Sequence, residues 1–166
     1  MANVILGNHS AVRARRTERG RIRSFYRDVL GCKIMRKLDD KDDVRIGENF
    51  YFAFLYEPGD GSEVDKGVVY GADDALSDEG FLKALFLELK SDNVEELRQK
   101  IIAFGVKVLE VPDPHLYFQA PGGQVYRLVG IDEDLSKYEG TDDNEELTGE
   151  PVERGPKAPV GPERNT

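Results

Sequence analysis

The chain predicts an α+β fold of two βαβββ modules packed about a pseudo-twofold axis with a shared cavity, and three observations predict it. The first is a repeated junction. An amphipathic segment, Ile22-Arg23-Ser24-Phe25-Tyr26-Arg27-Asp28-Val29-Leu30, stops at Gly31 and runs into Cys32-Lys33-Ile34-Met35. A second, Val94 to Phe104, stops at Gly105, 74 residues after Gly31, and runs into Val106-Lys107-Val108-Leu109. Each glycine sits just past the last periodic apolar residue, where a left-handed turn satisfies orphan helix carbonyls without a Cβ clash. The second observation is that strand-like stretches flank each helix in the same order. The third is a glycine- and aspartate-rich connection, residues 58–80, between the two copies.

Taken in order, Val4 to about Arg13 reads as a strand. Ile22, Phe25, Tyr26, Val29 and Leu30 fall on one face of a helix, which packs its aromatic side on a sheet. Lys33 to Leu38 is a strand, Asp39-Asp40-Lys41-Asp42-Asp43 a charged turn, and Val44 to Ile46 a short returning strand. Phe50 to Tyr56 is aromatic on both faces, which predicts a strand covered on each side or placed at a subunit contact. The connection 58–80 is long enough to be a lid or a mobile segment. Leu82 to Leu89 follows as a strand with Leu85, Leu87 and Leu89 on one face, and Ser91-Asp92-Asn93 offers an N-cap to a helix whose buried stripe is Leu97, Ile101 and Phe104. A strand to Val111, a Pro112-Asp113-Pro114 break, a strand from His115 to Gln119, a hairpin turn at Ala120 to Gly123 and a strand from Gln124 to Val129 complete the second module.

Residues 1–131 thus form one domain, with half-modules at about 1–57 and 81–131, and residues 132–166 form a tail. The formal net charge is −9. Residues 132–150 supply −8 of it and residues 1–131 only −2, so the folded part is nearly neutral. This excludes nucleic acid as a partner, because phosphate binding needs a basic surface. Four prolines, Pro151, Pro156, Pro159 and Pro162, follow the acidic stretch, a composition that reads as a solvated tail. The arginine run from Arg13 to Arg27 reads as a solvated helix face that attracts it. No apolar stretch approaches the ~20 residues that span a bilayer. Cys32 is the single cysteine, which fits a reducing compartment, and the N-terminus lacks the basic flank and apolar run of a signal peptide; the expected location is the cytoplasm.

Phe25-Tyr26-Arg27-Asp28-Val29-Leu30-Gly31 resembles the F-Y-x-D-x-L-G element of the vicinal oxygen chelate superfamily, whose members include glyoxalase I, extradiol dioxygenases, fosfomycin-resistance transferases and bleomycin-resistance binding proteins. Leu116-Tyr117-Phe118-Gln119-Ala120-Pro121-Gly122-Gly123-Gln124-Val125-Tyr126-Arg127-Leu128 is similar to that family's closing hairpin. The resemblance spans about residues 3–130 and implies a curved mixed sheet around a cavity, the glyoxalase-like fold. It also implies a divalent metal, Zn, Ni, Mn or Fe, held by a His on the first strand of each half and a Glu on the last strand. His9 stands about where the first ligand belongs. The matching site on the fifth strand falls between Lys83 and Phe86, which contains no histidine, and the glutamate position is Arg127. A cation there repels a metal, so no cofactor is favoured, with His9 the metal ligand if there is one.

If Arg127 faces the cavity, Val125 and Val129 share its face while Tyr126 and Leu128 point to the helices. A buried arginine is costly unless paired, so Arg127 meets Glu57, an acid of a partner subunit, or an anionic ligand. His115, Tyr117 and Gln119 lie on one face of the preceding strand, and His9 with Arg13 lies on the first strand. Together these six residues suit a carboxylate, phosphate or phosphonate beside an aromatic surface. His9 and Tyr117 are the candidates for catalytic roles; each is also readable as an ordinary polar residue of the fold. Cys32, behind the helix stop, lacks the positive environment that activates a thiolate.

The expectation is a small-molecule-binding protein, bleomycin-resistance-like and metal-independent, acting as a homodimer. The alternatives are a metal-dependent glyoxalase-like (lactoylglutathione-lyase-like) or dioxygenase-like enzyme, and a non-catalytic interaction protein that associates through the aromatic strand Phe50 to Tyr56.

Overall fold

The computed structural model describes residues 4–57, 77, 78, 80 and 85–133. Within them lie two four-stranded sheets of the same order. The strands are β1 (His9–Arg15), β2 (Lys33–Lys37), β3 (Lys41–Ile46) and β4 (Phe50–Glu57) in one, ordered β1-β4-β3-β2. The other holds β5 (Phe86–Ser91), β6 (Lys107–Leu109), β7 (Leu116–Gln119) and β8 (Val125–Gly130), ordered β5-β8-β7-β6. In each, the first strand lies parallel to the last and the remaining pairs are antiparallel. The repeat predicted from the glycine stops is therefore real at the level of topology. A mixed pairing of this kind needs a crossover, and the helix of each module supplies it.

The first helix is less regular than its pattern suggests. A 3₁₀ turn at Arg16–Glu18 leads into α1 (Arg19–Ser24), which widens into a π turn at Phe25–Val29. The Leu30 amide donates to the Phe25 carbonyl at 3.1 Å, a five-residue step. Ile22, Phe25 and Tyr26 are fully buried as expected. Gly31 takes φ +68°, and the next amide, Cys32 N–H, returns to the Tyr26 carbonyl at 2.8 Å. The second helix, α2 (Val94–Phe104), begins at Asn93, whose side chain accepts the Glu96 amide, and ends at Gly105 with φ +81°.

One aromatic core joins the halves. Phe25 meets Phe104 of α2 at 5.2 Å and Phe118 of β7 at 6.0 Å, and Tyr26 packs edge-on to Phe54 at 5.0 Å. The buried Tyr26 and Tyr126 hydroxyls hydrogen-bond each other at 3.0 Å, so neither polar tip is stranded. Tyr126 and Leu128 face this core, the parity expected of β8.

Several expectations need correction. Phe52, Phe54 and Tyr56 are buried in the chain's own core and β4 lies between β1 and β3, so on this face the aromatic strand is covered by its own chain and its three aromatics are not available to a partner. Asp42 and Asp43 belong to β3 rather than to a charged turn. Asp42 is 0% exposed and is held by Arg23 through two hydrogen bonds of 2.8 and 2.7 Å, by the Tyr56 hydroxyl at 2.8 Å and by Arg19 at 3.5 Å. The arginine run is thus partly structural: Arg21 donates to the Gly105 carbonyl at 2.9 Å, and Arg13 pairs with Glu57. Strand β5 starts at Phe86, leaving Leu85 79% exposed. The hairpin turn is more than a turn, because a Cβ on Gly122 would lie 2.8 Å from Cε1 of Phe54 in the other half.

The connection 58–80 and the tail 132–166 fall almost wholly outside the described residues. Asp78 is an exception that accepts the Glu110 amide at 3.3 Å, and Glu133 is another. No helix among the described residues is long and apolar enough to cross a membrane.

Candidate functional site

Each sheet buries one face against the helices and turns the other away from them, and the expected site residues divide between these two outer faces. On the first sheet, register places His9 opposite Tyr51 and Arg13 opposite Leu55. His9 is exposed, and Arg13 is engaged with Glu57 of the adjacent strand.

The second sheet gathers the rest. Tyr117 lies opposite Arg127 in the β7–β8 ladder, with His115 just before β7. Arg127 Nη2 donates to Glu133 Oε1 at 3.0 Å and lies 3.2 Å from His115 Nδ1. His115 Nε2 is 3.0 Å from Glu133 Oε2, while Nδ1 faces Asp113. Tyr117 donates its hydroxyl to Asp113 Oδ2 at 3.2 Å. His115, Tyr117 and Arg127 therefore come together, bracketed by two carboxylates. Gln119 shares the strand, but its Nε2 donates to the Gly123 carbonyl at 3.2 Å and serves the hairpin. No described hydrogen bond or ion pair links this cluster to His9 or Arg13. Of the alternative partners expected for Arg127, Glu57 holds Arg13 instead, and Glu133 reaches Arg127.

Local sequence explains the cluster. Pro112 and Pro114 break the chain between β6 and β7, and Asp113 accepts the His115 backbone N–H at 2.8 Å, an Asx turn that aims the imidazole back over the sheet. Glu133 arrives by a turn after β8 in which its amide donates to the Gly130 carbonyl at 3.1 Å. Below them Leu109, Tyr117 and Val125 form a small apolar floor, and Phe86 meets Tyr117 edge-on at 5.4 Å.

The electrostatics follow from these contacts. Burial pushes the Asp113 carboxyl up, but the His115 amide and ring and the Arg127 charge outweigh it, and its pKa ends below the usual range. Burial pushes the Tyr117 phenol up, with Arg127 opposing and Asp113 reinforcing, so the phenol stays protonated at neutral pH. Arg127 is 21% exposed in its side chain, and its Nε is buried without a hydrogen-bond partner. Elsewhere, burial lifts the Cys32 thiol to about 11, which leaves it protonated and a poor nucleophile.

Sequence reasoning missed Asp113 and Glu133. The signal for the first was an aspartate between two prolines two residues before a histidine. The second was hidden as one acid among nine in residues 132–150.

The donor set does not fit a chelated metal ion. Both nitrogens of His115 meet carboxylates, Arg127 stands within the same cluster, and His9 lies on the other sheet beside Tyr51. No group of three or more His, Cys, Asp or Glu among the described residues could hold a metal ion.

No known family profile matches the chain, and no characterised protein matches it in sequence. Solved structures do match it in shape. The fosfomycin-resistance protein FosX of Listeria monocytogenes, solved as a point mutant complexed with Mn(II) and 1S,2S-dihydroxypropylphosphonic acid, aligns over 81% of this chain and 95% of its own with 10% identity and a TM-score of 0.57. The trypanothione-dependent glyoxalase I of Leishmania major aligns over 86% and 96%, at 18% identity and a TM-score of 0.55. An integron cassette protein from Vibrio cholerae aligns over 80% and 99%, at 15% identity and a TM-score of 0.53. Identities this low speak to the backbone alone, and the paired βαβββ modules agree with them: the chain has a glyoxalase-like fold.

Proposed function

We propose that the protein is a metal-independent binder of a small anionic molecule carrying an apolar or aromatic part, seated on the outer face of the second sheet. The observation that carries this is Arg127, a cation in the middle of a strand with one donor nitrogen buried and unmatched. A guanidinium only 21% exposed is costly unless its charge is met, and an anionic ligand would meet it beside Glu133. Phe86 and Tyr117 offer an aromatic wall beside it for the apolar part of the ligand. His115, flanked by Asp113 and Glu133, completes a polar end to this wall. Two copies facing each other would close both sheets' outer faces, which is the basis for reading the protein as a homodimer; sedimentation of the purified chain tests that.

The test of the binding reading is a thermal-shift screen of phosphonates and aryl carboxylates on the wild type and Arg127→Gln. The expected result is a subset of anions that raises the wild-type Tm and loses at least tenfold in affinity in the variant. Equal binding by the two proteins would sink the reading.

A further inference from the structure

A separate cleft opens between the two halves, with the helix stop Gly31 in its wall. Its volume is about 270 Å³, at the small end for ligand sites. Three cations line it, Lys33, Arg45 and Lys90, together with Ile46, Leu89 and Leu97, and no carboxylate is among the described lining residues. Lys33 lies directly opposite Arg45 in the β2–β3 ladder, and the same row continues to Tyr51 and His9. Like charges directly opposite on neighbouring strands repel and weaken the pairing. Elsewhere on this face the charges are matched: Asp43 holds Lys41 at 3.0 Å and Arg36 at 3.7 Å, and Glu57 holds Arg13. The row of Lys33, Arg45, Tyr51 and His9 at the cleft carries no acid, and its two cations do not reach one in a neighbouring row as Lys41 and Arg13 do. Among the described residues Lys33 and Arg45 make no ion pair, and Arg45 Nε is buried with no hydrogen-bond partner. Lys90, from the other half, bonds the Glu133 carbonyl and so is fixed at the rim.

We infer that this cleft is a second anion-binding site, distinct from the Arg127 cluster, which takes a small organic anion with a short apolar body. Lys33 and Arg45 hold the charged head, and Ile46, Leu89 and Leu97 receive the apolar part. The repulsion stored in the unliganded row is relieved when the anion arrives, which couples occupancy to the joint between the halves. A planar guanidinium suits a carboxylate in two-pronged contact, and Lys33 adds a point charge beside it.

Titration of the ¹⁵N-labelled full chain with hexanoate, and separately with inorganic phosphate, at constant ionic strength is the test. Hexanoate is expected to shift the Gly31, Gly47 and Leu97 amides, and the affinity read from those amides should be at least tenfold weaker in Arg45→Gln and in Lys33→Gln. Both cleft variants should also unfold at a higher Tm than the wild type without ligand, which guards against mistaking misfolding for lost binding. Unmoved cleft amides, or full affinity in both cleft variants, would overturn the site. Phosphate binding as tightly as hexanoate would overturn the assignment of an apolar body.

Discussion

Asp42 shows how far a single side chain can depart from its pattern. In sequence it sits among four other charged residues and reads as a turn, yet in the fold it is sealed beneath the first helix, where Arg23, Tyr56 and Arg19 supply four hydrogen bonds to its two oxygens. Burial alone would raise its pKa, but those hydrogen bonds and the Arg23 charge outweigh burial and lower it. In the unfolded chain the group titrates near pH 4. Because the folded value is lower, the unfolded state takes up the proton first as pH falls. The stabilisation is therefore complete above that range and is lost as pH drops toward the folded value. Asp42→Asn should cost about 3 kcal/mol, the scale for breaking a buried pair by removing one partner. Denaturant melts at pH 7 and pH 3 check it: the variant should be weaker at pH 7 and should lose less stability on acidification. Equal acid sensitivity in the two proteins would mean that other carboxylates, Asp113 among them, carry the acid limb.

At the scale of elements, what could be read from the sequence was what depends on local chemistry. Gly31 and Gly105 marked both helix ends because positive φ selects glycine, and both have it. Asn93 was legible as a cap because its side chain serves the Glu96 amide three residues on. The hairpin at residues 120–123 was legible as a turn and illegible as a contact, since nothing local says that Phe54 and Ile22 of the other half press against it. The two roles separate by substitution. Gly31→Ala meets open space, so only the left-handed backbone resists it, at ~1 kcal/mol. Gly122→Ala meets the same backbone cost at φ +92° and also drives a methyl to within 2.8 Å of the Phe54 ring. Its expected destabilisation is about 2–3 kcal/mol for the overpacking alone. Urea unfolding of both variants is the check, and equal losses would show that the turn does not brace the halves.

Across the whole molecule the two halves share a topology and not a chemistry, which is why the duplication was readable and the site was only half so. Parity along β7 and β8 placed His115, Tyr117 and Arg127 on one face, because alternation in a strand is a local rule. The carboxylates that meet them come from a loop and from beyond the last strand, and the partner of a buried cation is a long-range fact. Glu133 is the decisive one. It occupies one guanidinium nitrogen of Arg127 and one ring nitrogen of His115, the same donors an anionic ligand would use. If the cluster binds anions, Glu133 competes with them, and the apparent affinity is the intrinsic one reduced by the fraction of molecules in which the carboxylate has moved aside. Replacing it with the neutral Glu133→Gln weakens that competition while keeping the side chain's size and its backbone contact to Lys90. The expected result is a several-fold gain in affinity for a phosphonate that binds the wild type, larger at low salt, where the released Arg127 charge is least screened. Isothermal titration of both proteins at two ionic strengths reads it directly. A loss of affinity would instead make Glu133 a group that orients His115 for the ligand, and the same carboxylate would then belong to the site rather than stand in its way.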